Sequence, residues 1–255
     1  MKYKDIRKSS YKNEKKVLAA PPHNFNMNNW LGSPYTCLKL RFCIELSSIF
    51  VYLLQFTKIK PNQITYIYAF SGLVGGVCLA TNNSSFIILG IIIFFSKIVF
   101  DGTDGLLARV KYKPTRFGAI LDEWAGLVGE YGFIFGLGLY LYNFSGNILY
   151  LYLMISILIL KSIDFKNYIY NRILFKKKQL NKSVKNKDKE NKFFSFIKKF
   201  IRDGFNYQGK TVDLILLIML IELIQKKLIL SQIFLYIYFF RGLLIFFGHL
   251  FSYRK

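Results

Sequence analysis

The chain has 255 residues, of which 53% are hydrophobic, and its 36 Lys and Arg residues against 14 Asp and Glu residues give a formal net charge of +22. Apolar stretches near the roughly 20-residue length of a membrane span recur along it, which excludes an ordinary soluble domain and indicates one polytopic membrane domain. The charge does not indicate a nucleic-acid-binding protein, because the lysines and arginines lie between these stretches and not in a folded basic domain.

In chain order, residues 1–34 form a polar, Lys-rich arm, which we expect to be mobile. Residues 35–57 mix charged and large apolar side chains, which predicts an amphipathic helix lying in the membrane interface. A strongly basic connector covers about 168–209. Six apolar runs predict spans at about 61–80, 86–110, 117–142, 148–163, 212–224 and 228–251. The predicted fold is therefore an all-α integral membrane protein, with six transmembrane helices and an N-terminal interfacial helix in a membrane domain over 35–255.

The charge distribution favours six spans over seven. With six, the N-terminal arm, the loop 111–116, the connector 168–209 and the C-terminus all fall on one side of the membrane. Nearly all Lys and Arg residues then lie on that side, as the positive-inside rule requires. Both termini are expected to be cytoplasmic.

Three aspartates follow or begin long apolar runs, where a carboxylate is costly. Asp101 and Asp104 are three residues apart, so they lie on nearly one helix face at the cytoplasmic end of the second span. Asp122 lies in the first turns of the third span, after a loop short enough for two antiparallel helices. The three carboxylates can converge just inside the cytoplasmic boundary, where a divalent cation would offset their repulsion. Oxygen-only ligands favour Mg²⁺ or Mn²⁺.

Small residues surround these acids and leave room for a bulky ligand: Gly102, Gly105, Ala108 and Gly118. Arg109 can offer a planar set of donors to a phosphate. Lys111, Thr115 and Arg116 in the next loop either contact a phosphate or acceptor, or are ordinary basic-side loop residues, and the sequence leaves both readings open.

These residues resemble the CDP-alcohol phosphotransferase (CDP-alcohol phosphatidyltransferase) family, whose pattern is D-x2-D-G-x2-A-R-x8-G-x3-D-x3-D. The match is carried by Asp101, Asp104, Gly105, Ala108, Arg109, Gly118 and Asp122. The segment Pro61-Asn62-x-x-Thr65, which opens the first span, is similar to the family too, so the resemblance covers roughly residues 35–251. It implies transfer of a phosphatidyl or other phospho-alcohol group from a CDP-activated donor to an acceptor hydroxyl, with release of CMP.

The resemblance also implies roles for single residues. Asp101, Asp104 and Asp122 would hold Mg²⁺ or Mn²⁺ ions, two by family precedent, and Asp122 would be catalytic. The predicted substrate-binding residues are Gly105, Ala108, Arg109, Gly118, Asn62 and Thr65. A homodimer is implied, with CDP-activated donor, hydroxyl acceptor and membrane lipids as partners. A role in phospholipid synthesis in a bacterial inner membrane is expected.

The chain departs from the pattern at its last position, where Gly126 replaces an aspartate. By the resemblance, that aspartate would be a metal ligand and the base that accepts the proton of the acceptor hydroxyl. Glu130, one turn further along the helix, is the predicted substitute base, ahead of the less well directed Glu123. The alternative is a catalytically weak or inactive relative that binds nucleotide or lipid. The sequence does not identify the acceptor alcohol or decide which substrate is the lipid.

Overall fold

The computed structural model describes residues 1–19, 34–175, 208–225 and 228–252, and all regular secondary structure within these residues is helical. The helices are α1 (Tyr3–Ala19), α2 (Pro34–Leu54), α3 (Pro61–Leu79), α4 (Ser84–Val110), α5 (Arg116–Ser145), α6 (Leu149–Phe175), α7 (Gln208–Gln225) and α8 (Ile229–Ser252). The predicted all-α class is confirmed, and the predicted interfacial segment 35–57 corresponds closely to α2.

Three described helices are long and apolar enough to cross a membrane: α4, α5 and the segment Ile229–Phe247 of α8. Leu149–Ile163 is a shorter apolar helix. Large apolar side chains point outward from several helices, for example Phe70 with 67% of its surface exposed and Leu244 with 67%. Such exposure is expected where lipid is the solvent. These helices identify a membrane protein, and the count of six spans stays a prediction.

Two predicted boundaries differ from the structure. The fourth predicted span ends near residue 163, whereas α6 continues to Phe175, into the basic segment. Most of the connector 168–209 lies outside the described residues. The N-terminal segment, expected as a mobile arm, contains helix α1, which packs against α2. The sequence does not reveal this helix, because its buried face is narrow and most of its residues are polar or charged.

The described part of the chain divides into two compact units. The first contains Met1–Gly75 and Ile92–Gly132. One of its hydrophobic cores is formed by buried residues from four helices. They are Ile6 of α1, Val51 of α2, Ile64 of α3, and Leu106 and Leu107 of α4.

Close approach of α3 and α5 is a second feature of this unit. A methyl group added at Gly72 would lie 2.5 Å from the α-carbon of Gly129, and one added at Gly132 would meet the carbonyl oxygen of Gly72. Lys97 of α4 occupies the space above Gly129, because a methyl group there would fall on its ammonium nitrogen. Two glycines therefore make room for one lysine.

The second unit contains Gly76–Ile91 and Phe133–Lys255, and within its described residues α6 and α7 each pack against α8. The Glu222 carboxylate of α7 accepts hydrogen bonds from the backbone N–H groups of Leu230 (2.7 Å) and Ser231 (3.0 Å). An acid at this position satisfies donors that a helix start leaves unpaired and complements its dipole. Glu222 thus fixes the start of α8.

Candidate active site

Helix ends in the first unit define a cavity of about 600 Å³. The α5 start is fixed by Thr115, whose Oγ1 accepts a hydrogen bond from the Gly118 N–H at 3.0 Å. The α3 start is fixed by Gln63, whose Oε1 accepts from the Lys60 N–H at 2.8 Å. Both are N-terminal capping interactions. The proline at the first position of α3 also favours a helix start there.

The cavity lining gathers residues from three helices that are distant in sequence. Eight residues predicted from the sequence line it: Asn62, Thr65, Asp104, Gly105, Ala108, Arg109, Gly118 and Asp122. Among the other predicted residues, Asp101 and Glu130 are absent from the lining.

The three aspartates are brought together as their spacing predicts. The Thr65 hydroxyl donates to Oδ2 of Asp104 at 2.5 Å, and Asp104 is only 5% exposed. The side chains of Asp101 and Asp122 lie within hydrogen-bonding reach of each other, and Asp104 interacts electrostatically with both. Two carboxylates in contact repel each other unless a proton or a cation lies between them.

Cations line the same cavity, namely Lys60, Arg109 and Lys113. The Arg109 guanidinium lies over Gly105, where an added methyl group would come within 3.6 Å of Nη1. Such a methyl group would be in ordinary van der Waals contact with the guanidinium. A cavity that combines carboxylates with several cations suits a ligand that carries phosphate groups, because the cations neutralise the phosphates.

The loop residues that the sequence left open separate into two groups. Thr115 lines the cavity while capping α5. The Lys111 ammonium donates to the carbonyl oxygen of Thr57 instead, and neither Lys111 nor Arg116 is part of the lining. Lys111 therefore ties the loop to the segment after α2.

The position of the replaced aspartate lies beside a tyrosine. A methyl group added at Gly126 would have one neighbour outside its own helix within 4 Å, the hydroxyl of Tyr68 at 3.6 Å. Tyr68 is 9% exposed, and the Lys97 ammonium lies 4.6 Å from the centre of its ring. Glu130 interacts electrostatically with Lys97 and Tyr68. Its role as a base stays a prediction.

Sequence reasoning missed Tyr68 and Lys97. A signal for Lys97 was present, since it is the one charged residue in the apolar run 86–100. An intramembrane charge of this kind commonly marks a functional region. Tyr68 had no such signal, because tyrosines are frequent throughout this chain.

The fit of these residues to a divalent metal ion depends on what else the ion can bind. Within the described part of the chain, no group of three or more His, Cys, Asp or Glu side chains is arranged to hold a metal by itself. The Asp101–Asp122 pair and the adjacent Asp104 nevertheless supply only oxygen atoms. Mg²⁺ commonly uses one or two carboxylates and completes its coordination with water and substrate phosphates. The donor set fits such an ion.

The helices and the cavity define a helical membrane protein with a site suited to a phosphorylated ligand. The family model described as CDP-alcohol phosphatidyltransferase matches residues 58–244, and the chain belongs to this family. The resemblance drawn from the motif is therefore confirmed. The family comprises transferases of substituted phosphate groups that serve phospholipid biosynthesis and generally use divalent metal ions. No curated protein matches the chain.

Proposed function

We propose that this protein transfers a phosphatidyl-type group from a CDP-activated donor to an acceptor hydroxyl and releases CMP. The observation that carries the proposal is the convergence of eight motif residues from α3, α4 and α5 on one cavity. The cavity contains carboxylates and cations in the mixture that a nucleoside diphosphate ester and its metal ions require.

In this proposal the residues of the site have distinct roles. The small residues Gly105 and Ala108 let the cytidine diphosphate group lie against α4, and Arg109 neutralises its phosphates. Thr65 holds the Asp104 carboxylate in one orientation through its hydrogen bond. Asp101, Asp104 and Asp122 would hold Mg²⁺ or Mn²⁺, which supplies charge neutralisation during phosphoryl transfer.

The proposed reaction replaces one phosphorus–oxygen bond of the donor by another. The acceptor oxygen forms a bond to the donor phosphorus, the phosphorus–oxygen bond to CMP breaks, and the acceptor proton passes to a base or to water. Glu130 is the proposed base. A bacterial inner-membrane location, a cytoplasmic site and a homodimer complete the proposal and rest on the family resemblance and the basic loops.

A second candidate function follows from Gly126, which stands in α5 where the family pattern has an aspartate. In that case the protein binds the nucleotide or lipid and turns it over slowly or not at all. The two candidates differ in turnover, and both predict that the protein binds the nucleotide or the lipid.

The test is release of CMP by the purified full chain, with a panel of CDP-activated donors, hydroxyl acceptors, and Mg²⁺ or Mn²⁺. We expect metal-dependent release that is abolished by a chelator and by Asp104→Asn. Asp188→Asn, which removes one acid outside the motif, is the matched control and keeps the rate. Nucleotide binding without release under every pairing would support the second candidate, and absence of both would refute the two together.

A further inference from the structure

Helix α1 precedes the segment that the family model matches, yet it contributes to the core behind α4. Because α4 carries the first part of the motif, we call it the motif helix. Ile6 is fully buried and packs with Leu106 and Leu107, which lie between Asp104 and Arg109 in α4. Ile6 thus packs behind the stretch of α4 that lines the cavity.

A cluster of hydrogen bonds fixes α1 on α2. The Arg7 guanidinium donates two bonds to the Glu45 carboxylate, at 2.6 Å from Nη2 and 2.7 Å from Nε. The hydroxyls of Tyr3 (3.1 Å) and Tyr11 (2.8 Å) donate to the same carboxylate. A planar guanidinium paired with a carboxylate in this way sets orientation as well as charge.

The side of α1 opposite Ile6 carries a basic stripe, which we define as Lys4, Lys8, Lys12 and Lys15. All four side chains are exposed. Their spacing places them within an arc of about 80°, while Ile6 lies about 160° from the middle of that arc. The helix therefore has one face against the protein and one strongly basic face.

The surface of α2, the helix against which α1 packs, indicates what the basic stripe binds. Helix α2 exposes its own apolar stripe: Leu38 (62%), Phe42 (60%), Ile49 (43%) and Leu53 (58%). An apolar stripe and a basic stripe in one unit match the acyl region and the anionic headgroups of a membrane surface. A nucleic acid or an acidic protein would leave the apolar stripe unexplained.

We propose that the basic stripe of α1 binds an anionic lipid surface and thereby holds Ile6 against the motif helix. Each lysine near such a surface strengthens the attraction roughly five-fold, and the attraction weakens when salt screens it. The binding itself does not depend on the proposed transferase activity.

The experiment compares amide hydrogen exchange of residues 3–15 in the full chain, in nanodiscs of phosphatidylcholine with and without phosphatidylglycerol. We expect exchange about ten-fold slower in the anionic discs, a protection that is lost at about 1 M salt, where the screening length is about 3 Å. Replacing the four stripe lysines by glutamine should remove the difference. The matched control, in which Lys182, Lys185, Lys187 and Lys189 become glutamine, removes the same charge elsewhere and should keep it.

Three outcomes would overturn the proposal: equal exchange in both discs, protection that survives in the stripe variant, or loss of protection in the control. Free glycerol phosphate in neutral discs should give no protection, and protection by it would indicate a soluble phosphate site instead of a membrane surface. Ile6→Ala should accelerate exchange at residues 104–109 in anionic discs, whereas unchanged exchange there would refute the link to the motif helix. All these readouts are independent of CMP release.

Discussion

Replacing Gly126 by aspartate tests whether the site lacks only a proton acceptor. The β-carbon of a new side chain fits at position 126, because the Tyr68 hydroxyl, 3.6 Å from it, is at an ordinary contact distance. Aspartate and glycine differ in helix propensity by only a few tenths of a kcal/mol. The new carboxylate also joins a cluster of acids, whose mutual repulsion a bound Mg²⁺ would offset, so each variant is compared with Mg²⁺ present. With the melting temperature unchanged, a change in rate would report on chemistry.

The expected rate follows from the value of a general base, which is typically about 10²–10⁴-fold. If Glu130 now serves as the base, Glu130→Gln lowers CMP release by about this factor. Adding Gly126→Asp to that variant restores the rate, because the new carboxylate lies one turn from Asp122. Gly126→Ala in the same background has the same backbone change without a carboxylate and should restore nothing.

The assay is steady-state CMP release at saturating donor and acceptor, with melting temperature measured on each variant. An unchanged rate in Glu130→Gln would refute Glu130 as the base. Failure of Gly126→Asp to raise the rate in a folded, nucleotide-binding double variant would refute the expectation that an aspartate at position 126 can act as the base.

Three further predictions concern packing, the cavity and pH. Gly132→Ala would place its methyl group against the backbone carbonyl group of Gly72, which cannot swing aside as a side chain can, and should cost about 1–3 kcal/mol in chemical unfolding; an unchanged unfolding midpoint would contradict this close contact. Thr65→Val removes the hydrogen bond to Asp104 and should lower kcat/KM about ten-fold or more, whereas Thr65→Ser should retain the wild-type value. Hydrogen bonding to arginine lowers the pKa of Glu45 from 4.5 to about 2, so its stabilisation of α1 docking should be complete above about pH 4.5 and lost as the pH falls towards 2. Proteolysis of the N-terminal helix across this range should show that dependence, and Glu45→Gln should abolish it.

The sequence anticipates most of what depends on helical periodicity. Asp101 and Asp104 share a face because they are three residues apart, and a short loop returns Asp122 to the same depth. The chemistry of the cavity therefore follows from local spacing and from a family pattern. The role of each cavity residue stays a prediction that the variants above test.

Tertiary contacts account for what the sequence does not reveal. Ile6 is one apolar residue in a lysine-rich segment, and only the neighbouring helices make it a core residue. The position of Lys97 depends on Gly72 and Gly129, which are far from it and from each other along the chain. No periodic pattern links three such residues, because their contact is created by the crossing of helices.

The lysine held between two glycines has an evolutionary consequence. The side chain of Lys97 and the absence of side chains at Gly72 and Gly129 are sterically coupled, because a methyl group at either glycine meets the neighbouring backbone or the ammonium. We expect relatives with a shorter residue at position 97 to accept alanine at position 129, and those that keep the lysine to keep the glycine. A comparison of positions 97 and 129 across the family would therefore show whether this intramembrane charge is retained by selection or is a feature of this lineage.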